Sequence, residues 1–442
     1  MMMSSRRMIG MRNKQKILQS VLLNALLVLL LVTSVVLTGF IFSSFGKNEA
    51  PDQATAQQPE KQLLEIFRPT QYIVSQADGS QQLAMHADDA RLKKIRTAIT
   101  NAKLTDAQTK TVSVAGIKKV LATKKSQIFR YPDVVPISYF NIRYDQNVST
   151  RKNFNFDYFV VALDRSNNSY FVNTKTNQIT TVKVSKLDRN AVWEQSKKLP
   201  KNMNINFKAH QGRVMLNYPK KITLPVYSYL VTRRDPKTYV SALLGTINQL
   251  NVTQDGDKTV YTNKLNNQKI IYDPDWETVT FEDRNLKNKL PKNYIDRLNT
   301  GLSQISLLQS DFTDTRFYES QQNGQKITFR TYVEGFPVYF QSEIGAVHMT
   351  MDKHGNLTST YSLNEIGVPV PNSQPDVVLP STTEVIKQLT DAGVQEKDYD
   401  FITPGYEWRL DKDSQAAVNM EPTWMIETHT GWQSVSSYLK TR

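Results

Sequence analysis

LLNALLVLLLVTSVVLTGF, residues 22–40, carries no charge, yet it has an asparagine near its start and Thr and Ser in its middle. It sits inside a longer charge-free stretch, residues 17–46. As a helix that stretch spans about 45 Å, and its densest part, residues 21–42, about 33 Å. A hydrocarbon core is about 30 Å thick, whereas the apolar region of a secretory signal usually has only about 7–15 residues. The nearest Ala-x-Ala pattern, at Ala54 and Ala56, lies beyond Lys47 and Glu49 and far from the apolar run. The segment therefore reads as an uncleaved transmembrane anchor. Arg6, Arg7, Arg12, Lys14 and Lys16 precede it, while Lys47 is followed by Glu49 and Asp52. The positive-inside rule puts the stub, residues 1–16, in the cytoplasm and residues 47–442 outside the cell.

The polar residues of the anchor carry a second message. Ser20 and Asn24 are four apart, as are Ser34 and Thr38. Hydrogen-bonding residues at this spacing share a helix face and let two membrane helices approach and bond. Ser and Thr can also bond back to their own helix. The amide of Asn24 lacks so cheap an internal partner, which makes it the first candidate for a contact with another transmembrane helix.

The chain has 442 residues and no cysteine, which excludes disulfides, thiolate metal sites and a cysteine nucleophile. An exported protein without cysteine fits a bacterium better than a eukaryotic secretory route. Its net charge of +14 is uneven: residues 301–442 hold 18 acidic against 10 basic residues, while everything before them is basic. Such asymmetry points to different neighbours for different surfaces.

Outside the anchor, residues 47–62 are polar with two prolines and read as a linker. The rest reads as α+β, an elongated extracytoplasmic portion of about three domains of mixed antiparallel sheet and helix: 63–205, 206–310 and 311–442. Helical spacing is predicted over 88–104, 189–199, 237–250, 293–307 and 381–392, with Asp235 as cap and Pro236 at the first position of the third. Strands are predicted over 160–184, 224–232, 260–281, 328–340 and 346–363, and a final strand pair is expected to end at Tyr438. Residues 169–184, 269–283 and 347–361 echo one another as strand, polar turn and aliphatic-Thr strand, suggesting one hairpin in each module.

Catalytic spacing is scarce. His86, His210, His348, His354 and His429 are isolated, and no H-E-x-x-H, G-x-S-x-G or P-loop occurs. No pattern asks for a cofactor or a metal, and no enzymatic role is expected. DPDWE, residues 273–277, reads as a plain turn. Residues 91–130 stand out, with eleven basic residues against one acid, Asp106. Lys93, Lys94, Arg96, Lys118, Lys119, Lys124 and Lys125 are its candidate contacts for anionic lipid, anionic wall polymer or an acidic protein surface. Solvated helix faces would look the same. Nucleic acid is not expected outside the cell. Tyr406, Trp408, Trp424 and Trp432 mark either a partner surface or a core.

With this layout the chain resembles the YycH family. The likeness rests on the lone basic-flanked N-terminal helix, F-R-P-T-Q-Y (67–72), L-P-V-Y-S-Y-L (224–230), R-T-Y-V-E-G-F-P-V-Y (330–339), E-P-T-W-M-I (421–426) and Gly431-Trp432. The resemblance implies three extracytoplasmic α+β domains. It also implies a YycI-like accessory partner and a membrane complex with a cell-wall sensor histidine kinase of the YycG/WalK type. In that family the transmembrane helix contacts the kinase helices, which suits the polar face read above, and restraint of the kinase is the expected sense. An anchored wall-polymer binder or envelope enzyme is the competing reading.

Overall fold

The computed structural model describes residues 63–441 except 86–88, 151–152, 165, 286, 309–314, 340–346 and 411–416. The stub 1–16, the anchor 17–46 with Ser20, Asn24, Ser34 and Thr38, and the linker 47–62 lie outside the described residues. No helix among the described residues is long and apolar enough to cross a membrane.

Two large sheets organise the described residues. The strand Asn155–Ala162, NFDYFVVA, is apolar almost without break and buried along nearly its whole length. A strand covered on both faces needs that composition. It forms the middle of a nine-stranded antiparallel sheet, between Ser126–Pro136 on one side and Asn168–Asn173 on the other. Beyond Ser126–Pro136 the sheet runs through Gln71–Ser75, Gln81–Ala84, Lys201–His210 and Arg213–Asn217. Its other end is Gln178–Ser185 paired with Lys103–Thr111.

The second sheet has fourteen strands among the described residues. Its pairs are antiparallel apart from Phe336–Tyr339 against Phe401–Leu410, which run parallel. The three echoing segments are all antiparallel hairpins. Two of them are neighbours: Thr278–Asp283 pairs directly with Leu357–Ser362, so the second sheet continues across residue 310. The turn at Glu334-Gly335 closes a two-residue hairpin, with φ of 50° and 82°. Both central residues of such a turn need positive φ. Gly335 is further constrained, because an added Cβ would lie 2.5 Å from the Thr70 carbonyl oxygen.

Helices follow their caps. In Tyr294–Ser306 the Asn293 side chain accepts from the Asp296 amide, and in Thr382–Asp391 Ser381 and Glu384 form a reciprocal capping box. Pro236–Leu244 starts as expected, with Asp235 accepting from the Lys237 amide at 2.9 Å. It ends early, at Gly245 with φ of 90°, and only a short 3-10 turn follows at Ile247–Gln249. The helix expected over 88–104 stops at Thr100, and Leu104 enters the strand Lys103–Thr111. Two helices were not anticipated, Val114–Leu121 and Ile137–Tyr144. The expected closing strand pair forms, Ala417–Thr428 with Gly431–Ser434, but it ends at Ser434 and not at Tyr438, because Ser434 accepts from the Ser437 amide and starts the helix Val435–Lys440.

The nine-stranded sheet buries both faces. Phe129, Phe159 and Phe171 point to one side, where Ile95 and Ile99 cover them; Ile128, Val160 and Val172 point to the other, where Ile117 and Leu121 lie. Each of these two cores continues into the second sheet. Phe67 is a pin in the first, its ring 4.7 Å from Tyr139 and 5.0 Å from Phe317. Phe140, from the unanticipated helix Ile137–Tyr144, packs 4.8 Å from both Phe159 and Phe171. Aromatic pairs of this kind are worth about 0.5–1.5 kcal/mol each beyond their buried area.

Candidate functional site

Between the two sheets lies a cleft of about 460 Å³. The nine-stranded sheet contributes Arg130, Asp133, Asp157 and Arg213, and the turn after Asn168–Asn173 adds Lys175. The second sheet contributes Tyr318, Glu319, Tyr332 and Glu427, with Asp400 and Trp432 beside them. The two sides are stitched by one buried carboxylate. Asp133 accepts from the Lys175 ammonium at 2.7 Å and from the Ser320 amide at 2.7 Å. Lys175 also donates to the Ser320 carbonyl at 3.0 Å. Tyr294 spans the same seam, donating to the Val134 carbonyl at 2.7 Å.

Beside the stitch sits Arg330, 3% exposed. Its guanidinium lies between the rings of Tyr318 and Tyr339, 4.7 and 4.4 Å from their centroids. The two hydroxyls meet at 2.7 Å. Cation–π contact offsets part of the desolvation, yet Nε and Nη1 of Arg330 have no hydrogen-bond partner among the described residues. Glu319, next to Tyr318, accepts a 3.4 Å bond from the Trp432 indole.

Burial and like charge favour protonation of the carboxylates of the cleft. Burial, then the negative charges of Glu319 and Asp400, push Glu427 up to about 8. Burial raises Glu319 more than Arg330 lowers it. Burial also pushes Asp157 up to about 6, against the hydrogen bonds from the Thr174 hydroxyl and amide that pull it down. Like-charged carboxylates in a shared low-dielectric space behave this way. The cleft can accept a proton or the cationic head of a ligand. Among the described residues, no group of three or more His, Cys, Asp or Glu is arranged to hold a metal ion.

A second, smaller pocket of about 280 Å³ opens on the other side of the strand Gln71–Ser75. It is lined by Glu65, Arg68, Tyr72, Leu92, Lys93, Arg96, Phe129, Arg143 and Tyr144. Here the structure gathers part of the basic run. Lys93, Lys94 and Arg96 lie on the helix Asp89–Thr100, with Lys93 and Arg96 at the pocket. Lys118 and Lys119 belong to Val114–Leu121, on the opposite face of the sheet. Lys124 and Lys125 lie in the turn that follows, Lys124 against Gly79 and Lys125 with its ammonium 5.9 Å from the Trp193 ring. The seven candidates are thus divided between two faces of one sheet and do not form a single surface.

The remaining candidates resolve individually. Tyr406, Trp408 and Trp424 are buried in the second core, and Trp432 packs partly buried at the cleft. His210 is buried against Tyr399, with Nδ1 3.0 Å from Glu396. His348 bonds Thr328 at 3.1 Å. His429 is exposed at the rim of the cleft. His86 lies outside the described residues. In the 273–277 turn, Asp273 accepts from the Asp275 amide and pairs with Lys258 at 2.7 Å. The carboxylates of the cleft escaped sequence reasoning, because Glu319 and Glu427 share no motif. A partial signal existed: Arg330, Tyr332, Gly335, Tyr339 and Trp432 fall in the segments that carried the family resemblance.

Comparison with known proteins bears on the whole chain. The family description "YycH protein, N-terminal domain" matches residues 20–201, and "YycH protein, C-terminal domain" matches residues 216–442. The crystal structure of YycH from Bacillus subtilis superposes with a TM-score of 0.65 at 15% sequence identity, covering 84% of this chain and 96% of that one. No curated protein matches the chain.

Proposed function

The chain belongs to the YycH family, which serves the YycG/WalK two-component system, and we propose that it restrains a cell-wall sensor histidine kinase as a membrane-anchored accessory protein. The observation that carries this reading is the double family match, whose first half begins at residue 20, inside the apolar stretch 17–46. The anchor's polar face, Ser20, Asn24, Ser34 and Thr38, packs against the kinase's own membrane helices. The domains outside, at 63–205, 206–310 and 311–442, bind a YycI-like partner and set whether that packing forms.

The mechanism is a population shift. Helix packing that differs between two signalling states of the kinase by only about 1–3 kcal/mol changes its output several-fold or more. One interhelical hydrogen bond from Asn24 supplies about 0.6–2 kcal/mol of that. The test is Asn24→Leu in the native host, with a reporter of kinase output and a blot for protein abundance. Raised output at unchanged abundance is the expected result. Unchanged output at normal abundance removes Asn24 from the mechanism.

A further inference from the structure

The small pocket at Arg143 is held open by elements with other structural duties. The Arg143 guanidinium donates through Nη1 to the Leu64 carbonyl, which fixes the first described turn of the chain to the helix Ile137–Tyr144. Its Nε is buried without a hydrogen-bond partner among the described residues. Tyr72 and Phe129 face each other across adjacent strands, with rings 5.8 Å apart, and Phe129 meets Tyr144 edge-on at 6.3 Å. Gln146 donates to the carbonyls of Ile99 and Ala102 at 3.1 and 3.0 Å. It thereby fixes the end of the helix that carries Lys93 and Arg96.

The charge inside this frame is one-sided. Of the pocket's four cations, Arg68 pairs with Glu65 at 3.3 Å, and Glu65 is the only acid among the described lining residues. Neither Lys93 nor Arg96 forms an ion pair with a carboxylate among the described residues of the pocket, and of its carboxylates Arg143 feels only the charge of Glu65, which Arg68 already shares. Three like charges converging on one small concavity repel each other unless an anion joins them. The deep cleft differs, because its cations stand among carboxylates. The guanidinium of Arg96 offers the planar fork that suits phosphate oxygens, and that of Arg143 adds a second positive charge to the same pocket.

We propose that this pocket binds a phosphate ester, with Arg96 and Arg143 on the phosphate oxygens, Lys93 at the rim, and Leu92, Tyr72 and Phe129 against the carbon portion. The volume suits a glycerophosphate group, which occurs both on lipid head groups and in glycerophosphate polymers. The proposal does not depend on what the anchor touches.

The test uses the full-length protein in an uncharged maltoside detergent and calorimetric titration with two probes, glycerol 3-phosphate and monomeric dihexanoyl-phosphatidylglycerol. Saturable binding of at least one probe in the millimolar range or tighter is expected, weakening as salt rises. Equal affinities would assign the site to the phosphate alone. Tighter binding of the lipid would add the apolar wall and assign it to a membrane head group. Lys93→Gln/Arg96→Gln should weaken binding at least about tenfold, the scale of one charge-assisted hydrogen bond. Lys118→Gln/Lys119→Gln removes the same charge from the opposite face and should leave affinity unchanged. Failure of both probes to bind, or equal weakening by the two double variants, overturns the proposal.

Discussion

The two charged cavities concentrate charge in opposite ways. In the cleft between the sheets, acids outnumber bases, and the buried Asp133 ties one sheet to the other through Lys175 and Ser320. In the small pocket beside Arg143, bases dominate, and two of them stand on the outer side of a single helix. The cleft can relieve its repulsion internally, by taking up protons. The pocket cannot, because Lys and Arg keep their charge at any physiological pH, so relief has to come from an anion. Charge in the cleft is therefore coupled to folding, and charge in the pocket to binding.

That contrast can be broken at its strongest point first. Asp133→Ala leaves Lys175 and the Ser320 amide without their shared acceptor. Because Lys175 reaches solvent, the cost is near the lower end for a broken buried pair, about 3 kcal/mol by urea unfolding. A loss under about 0.5 kcal/mol would show that the seam does not depend on this carboxylate. Gly335→Ala comes next. It forces a side chain into positive φ and toward the Thr70 carbonyl, and should cost about 1–3 kcal/mol.

Proton uptake in the cleft gives stability a signed dependence on pH. The folded-state value of Glu427 is raised from 4.5 to about 8, so its contribution to stability is greatest below 4.5 and is lost as pH rises toward about 8. Asp157 adds the same sign between 3.8 and about 6. Glu427→Gln removes the charged state. It should match the wild type near pH 4 and exceed it by about 1 kcal/mol near pH 9, discounted for partial contact with solvent. Equal stability curves across this range would contradict it. The smallest effect belongs to the pocket: Lys93→Gln/Arg96→Gln should change stability by no more than about 0.5 kcal/mol. A larger loss would make these residues structural and blur the distinction.

The sequence was most legible where local chemistry and tertiary packing agree. Asp235 and Pro236 open a helix as expected, and the helices expected over 293–307 and 381–392 form where Asn293 and the Ser381–Glu384 box cap them. It was least legible where packing overrides propensity. ISYFNIRY, residues 137–144, is rich in aromatic and β-branched residues and has no side-chain cap, yet it is helical because Phe140 and Tyr144 fill the aromatic core. The basic run of 91–130 is continuous along the chain, but strand and helix alternate within it, so the sheet separates Lys93 and Arg96 from Lys118 and Lys119. The acidic cleft left no trace in spacing, since Glu319 and Glu427 meet only through sheet topology. The family segments did mark its walls, through Tyr332, Gly335, Pro337 and Trp432, and they hold Arg330 and Tyr339 packed beside it.

The anchor is the proposed route by which this protein regulates a sensor kinase. Its most direct test is a mild-detergent pull-down of the full-length protein from its native membrane, beside a version in which residues 21–42 are replaced by polyleucine. A sensor histidine kinase should co-purify with the native anchor and be lost with the replacement. Equal recovery with both anchors would contradict it, moving recognition to the domains outside the membrane.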